Sequence, residues 1–173
     1  MQVLSRQRGV SLIEVLVAML IFSIGVLGIA LMQIKGSQFS KQAGGRTVAV
    51  LQARSLADAM RANLAGVYGV ASEGDIASKN GDLSASYYLY DGTTAPNPSG
   101  CSNDPCQQAK RDLLHWLDQL KSGTAKPTAT VTANTDTGAL TITSGWADMT
   151  AGGTATSASD AYKFDFQPQW SGQ

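Results

Sequence analysis

The feature that most restricts this chain is an uninterrupted apolar run close to its N-terminus. From Val15 to Met32, eighteen consecutive residues carry no charge, and Ser23 is the one polar residue among them. At a helical rise of about 1.5 Å per residue, such a run crosses most of a ~30 Å hydrocarbon core. Val10 to Ile13 and Ile34 lengthen it further. A single membrane-spanning helix is therefore expected. Arg6 and Arg8 precede the run with no acidic residue beside them, which favours a cytoplasmic N-terminus, although Lys35, Lys41 and Arg46 on the far side blunt that asymmetry.

A secretory signal peptide is made of similar parts. Three features argue against one here: the run exceeds an ordinary signal core, no A-x-A-like site follows before the polar stretch Lys35 to Lys41, and Glu14 interrupts its beginning. Glu14 is the informative residue. A carboxylate in a spanning helix costs roughly 2.5 to 3.5 kcal/mol at the centre and less toward an end. Either Glu14 is solvated at the headgroup level, or a cation meets it inside an assembly.

The segment Arg8-Gly9-Val10-Ser11-Leu12-Ile13-Glu14-Val15-Leu16-Val17-Ala18 resembles the class III leader and helix start of type IV prepilins and type II secretion pseudopilins. The resemblance implies that a prepilin peptidase cuts between Gly9 and Val10 on the cytoplasmic side and methylates Val10. Glu14 then becomes the fifth residue of the mature chain and pairs with the terminal amine of a neighbouring subunit. The family usually has Phe after the cut, and Val10 departs from that.

More of the chain is similar to one branch of the family. Ile21-Phe22-Ser23-Ile24-Gly25-Val26-Leu27-Gly28-Ile29-Ala30 with Met32-Gln33, then Asp112 to Leu117 and Leu140 to Asp148, resemble minor pilins of the PilV type. That resemblance implies a minor pilin in the priming or tip complex of a type IV pilus, with effects on adhesion and twitching motility. Its partners would be the prepilin peptidase, other minor pilins, the major pilin, the inner-membrane assembly machinery and membrane lipid. It would sit in the inner membrane with its globular part in the periplasm, and on the pilus at the cell surface after assembly. Two other readings use the same residues: a minor pseudopilin of a type II secretion system, and an uncut membrane-anchored adhesin that never enters a filament.

The expected organisation is a leader over 1–9, a span over 10–34, an amphipathic continuation of the helix over 35–66 and a globular domain over 67–173. The fold class expected is α+β and type IV pilin-like, a long N-terminal helix packed on a small antiparallel sheet with one short extra helix. Leu51, Leu56, Met60, Leu64 and Val67 supply an apolar stripe for packing on that sheet, and Gly44-Gly45 allow a kink or a melted stretch. Residues 66–100 read as a long loop with one strand, whose Tyr87, Tyr88 and Tyr90 fill the core. Asp104-Pro105 signals a helix start, with Leu113, Trp116, Leu117 and Leu120 on one face and a stop at Gly123. Thr128 to Ala133 and Leu140 to Trp146 read as a hairpin, and Tyr162, Phe164 and Phe166 as a third strand after a flexible loop over 150–159.

Composition excludes several functions. With 13 basic and 13 acidic residues and no basic cluster beyond the leader, no nucleic-acid partner is expected. The one histidine, His115, and the two cysteines fall short of a zinc set, and no P-loop, GxSxG or HExxH is present, so neither a catalytic site, a cofactor nor a metal is expected. Outside the cytoplasm Cys101 and Cys106 are expected to form a disulfide.

Overall fold

Helix α1 (Leu12–Ala62) continues without a break for 51 residues and is followed by α2 (Leu64–Tyr68), α3 (Asp104–Gly123) and strands β1 (Thr128–Asn134), β2 (Ala139–Met149) and β3 (Ala155–Phe166). The computed structural model describes residues 11–149 and 155–169. It divides into two units, one ending at Phe39 and one beginning at Ser40. The described residues of the first belong, from Leu12 on, to the early part of α1. The second is α+β, with the remainder of α1 packed on a three-stranded antiparallel sheet in the order β1-β2-β3.

The face that α1 buries differs from the expected stripe. Gly45, Ala49, Ala53, Leu56, Ala57 and Met60 are inward, whereas Leu51 is 56% exposed. Steps of four, four, three, one and three residues keep one side of a 3.6-residue helix inward, and the alanines let the backbone lie close to its neighbours. Leu56 and Met60 supply the large apolar burial, each worth about 1.5 to 3 kcal/mol. Gly44 and Gly45 lie within continuous helix, so no melted stretch occurs there. Gly45 sits against Trp146 and Thr124. Gly123 meets α1 more tightly, because a Cβ there would lie 2.6 Å from a methyl of Val48.

α1 stops at Ala62, so Leu64 and Val67 belong to α2 rather than to a longer first helix. Asn63 intervenes with φ −137° and caps α2 by accepting a hydrogen bond from the Gly66 amide. Gly69 ends α2 in the left-handed region at φ +66°, where a Cβ would run into the Ala85 carbonyl. The segment expected as a long loop with one strand instead holds α2 and two 3₁₀ turns (Glu73–Lys79 and Pro98–Gly100). Its strand is reduced to one bridge, Tyr90 with Val131. The tyrosines do fill the core: Tyr88 is fully buried and Tyr87 and Tyr90 are half-buried.

The hairpin forms as expected, with Val131 opposite Ile142 and Leu140, Ile142 and Trp146 buried. β3 begins at Ala155, earlier than its aromatic alternation suggests, so the expected loop is strand over 155–159 and lies outside the described residues over 150–154. Arg61 closes the α1 end of the core, ion-paired to Asp58 and 5.5 Å from the Phe166 ring centroid.

Candidate functional site

Gly9 and Val10 lie outside the described residues. Glu14 is in the first turn of α1 and exposed, with Ala18 and Phe22 one and two turns further along the same side. Every residue from Leu12 to Gln33 is exposed, including Leu12, Ile13, Leu16, Met19, Phe22 and Leu27 at more than half their surface. α1 is the one described helix long and apolar enough to cross a membrane. Ser23, the polar residue within the run, returns its hydroxyl to the Met19 carbonyl at 2.7 Å, so it brings no unpaired donor into hydrocarbon. Glu14 has no such internal answer among the described residues. What remains for a partner is a wholly apolar helix surface with a single carboxylate at its start.

The second unit holds a cluster built around the start of α3. Cys101 and Cys106 are bonded, with their Cα atoms 5.6 Å apart. The helix cap is Asn103 rather than the expected Asp104, which instead sits in the first turn beside Pro105. Asn103 accepts from the Cys106 amide at 2.9 Å and donates to the Tyr87 hydroxyl at 3.1 Å. Asn63, from the end of α1, donates to the Pro105 carbonyl at 2.9 Å and to the Tyr88 hydroxyl at 3.2 Å. Tyr88 in turn donates to the Asp112 carboxylate at 2.6 Å. Burial, and then the Asp112 carboxylate, push the Tyr88 phenol far above the ordinary tyrosine range, so it stays a donor at any physiological pH. Lys110 gives its ammonium to the Tyr87 carbonyl at 2.8 Å, and burial lowers its pKa.

These contacts form a structural joint between the end of α1, the start of α2, the Tyr87–Tyr88 segment and α3. His115 is exposed on α3, and among the described residues no group of His, Cys, Asp and Glu is placed to hold a metal ion. The sequence placed Tyr88 in the core but did not show that Asn63 and Asp112 would meet its hydroxyl. The available signal was weak: an asparagine just past an apolar stripe is a common helix cap, but nothing local ties it to Pro105, 42 residues on.

The disulfide encloses both the Asn103 cap and the Pro105 carbonyl. Replacing both cysteines by serine should lower stability by about 2 kcal/mol, because the bond closes a loop of only a few residues. Denaturant unfolding of the detergent-solubilised chain measures this, and unchanged membrane insertion separates it from a defect in α1.

The described residues thus hold an α+β unit and, before it in the chain, a helix long and apolar enough to cross a membrane. Residues 4–30 match the prokaryotic N-terminal methylation motif, the class III leader of type IV pilin-like and pseudopilin proteins. Such a motif is found on structural pilin-like proteins rather than on enzymes, and implies processing by a prepilin peptidase and work with pilus-type assembly machinery. No curated protein and no solved structure matches the chain.

Proposed function

We propose that this chain is a minor pilin of the PilV type, acting with other minor pilins in the priming or tip complex of a type IV pilus and so influencing adhesion and twitching motility. The observation that supports this reading is the match of residues 4–30 to the methylation motif, a stretch that contains Gly9, Val10 and Glu14 and runs into the exposed apolar part of α1. Residues 1–9 are removed, 10–34 serve as membrane span and then filament core, 35–66 continue the helix, and 67–173 form the periplasmic pilin-like domain.

Cleavage after Gly9 frees an ammonium on Val10. Inside an apolar filament core an unpaired carboxylate and an unpaired ammonium are each costly, so Glu14 of an incoming subunit settles where it meets a neighbour's Val10 terminus. The pair selects an axial register more than it adds net stability. The Cys101–Cys106 bond suits a domain facing an oxidising compartment such as the periplasm.

Intact mass and N-terminal sequence, taken from a sheared filament fraction and from inner membranes, test the reading. A methylated Val10 terminus in the filament fraction is expected, as is loss of Glu14→Ala from that fraction while it remains in the membrane. A chain retaining residues 1–9 and confined to membranes would favour the uncut adhesin. A processed chain whose deletion stops secretion and leaves pili intact would point to the pseudopilin.

A further inference from the structure

The outer edge of β3 is unpaired among the described residues, since β3 pairs only with β2. Which backbone groups it offers follows from the ladder. Val131 exchanges both of its backbone bonds with Tyr90, at 3.0 and 2.9 Å, so Val131 faces away from β2. Alternation then turns Thr130 and Thr132 toward their partners Thr143 and Thr141, and turns Leu140, Ile142 and Ser144 of β2 toward Phe166, Phe164 and Tyr162. On β3 the residues left facing outward are Ala161, Lys163 and Asp165. Register shifts occur only near Ala147 and Met149, so this stretch is a regular, open edge.

The edge has a sequence symmetry. Tyr162-Lys163-Phe164-Asp165-Phe166 reads nearly the same in both directions once the charges are exchanged. Lys163 has no hydrogen bond or ion pair among the described residues, and Asp165 uses one oxygen to accept from Thr141 at 2.6 Å. Both point to the solvent side, while Tyr162 and Phe164 lie half-buried on the core side.

We propose that β3 is an interaction surface for a second copy of this chain, paired antiparallel about a two-fold axis at Phe164. In that register Lys163 faces the partner's Asp165, Asp165 faces the partner's Lys163, the two Phe164 side chains meet, and Tyr162 faces the partner's Phe166. The hydrogen-bonding pattern agrees, because Lys163 and Asp165 both present their backbone groups outward and so form hydrogen-bonded pairs, leaving Phe164 at a non-hydrogen-bonded position. Moving the two-fold axis by one residue to either side, a slide of two residues, is disfavoured: one move sets Lys163 against Lys163, the other Asp165 against Asp165. Such an isologous contact would extend the sheet to six strands.

The association rests on the strand edge itself and not on the pilin reading.

Association is measured on the full chain in detergent by sedimentation. A concentration-dependent dimer is expected for the wild type. Lys163→Asp alone and Asp165→Lys alone should each weaken it about ten-fold or more, since two symmetric positions turn repulsive. The double variant Lys163→Asp/Asp165→Lys should restore it. An independent check uses oxidation of Phe164→Cys, which should cross-link efficiently, against Tyr162→Cys, which should not. A monomeric wild type, a double variant no better than the singles, or equal cross-linking at the two positions would overturn the proposal.

Discussion

Gly9→Ala is expected to leave the whole population of this protein with residues 1–9 attached. On the proposed reading the peptidase accepts glycine before the cut, and an added methyl at the scissile bond removes that fit. The consequence reaches further than the leader. While the Gly9–Val10 peptide bond survives, the Val10 nitrogen is an uncharged amide, so no ammonium exists to meet the Glu14 of another subunit. The carboxylate would then enter the filament core unpaired, at a cost the assembly avoids by excluding the subunit. Gly9→Ala and Glu14→Ala should thus share one phenotype, membrane insertion without filament entry, while differing in mass. Intact-mass measurement of the membrane and filament fractions checks both, and a normally processed Gly9→Ala band would remove the peptidase from the account.

The largest effect expected in the globular unit follows from Asn63→Ala. Its amide joins three segments: the Gly66 amide at 3.1 Å, the Pro105 carbonyl at 2.9 Å and the Tyr88 hydroxyl at 3.2 Å. Asn63 is 6% exposed, so water cannot readily replace these bonds. Truncation loses an α2 cap and strands a buried carbonyl, each worth ~1 to 2 kcal/mol, for a total near 3 kcal/mol. In a domain of this size that corresponds to a fall of roughly 10 °C or more in unfolding temperature. Asn63→Asp is the informative companion, since it keeps the acceptor for Gly66 but cannot donate to Pro105 when ionised. It should recover only part of the loss. Thermal unfolding of the disulfide-intact chain decides the matter, and a change under ~1 kcal/mol for Asn63→Ala would show that the joint contributes little.

Much of the architecture was legible because it is local. The apolar run is a matter of consecutive residue types from Val15 to Met32, and the motif at its head is a short ordered string from Gly9 to Glu14. Helix α3 announces itself through Pro105 and the spacing of Leu113, Trp116, Leu117 and Leu120, and the hairpin through period-two alternation on either side of Gly138, which takes φ +62°. The cap of α3 was misplaced by one residue because Asn103 and Asp104 are both good caps, and only the tertiary bond from Asn103 to Tyr87 distinguishes them.

What the amino-acid sequence determined by itself is the anchor, the leader motif and the identity of the regular elements, since each depends on neighbours within a few positions of the chain. Only the tertiary structure decided which side of α1 is buried. There Ala49, Ala53 and Ala57 are fully buried while Leu51 is 56% exposed, because burial follows what packs on that side of the helix and not the size of its side chains. It alone decided that Asn63, Tyr88, Pro105 and Asp112 converge, and that the outer edge of β3 is unpaired among the described residues. These outcomes depend on pairings between residues 24 to 42 positions apart, which follow no repeating interval and arise only when the whole core closes at once.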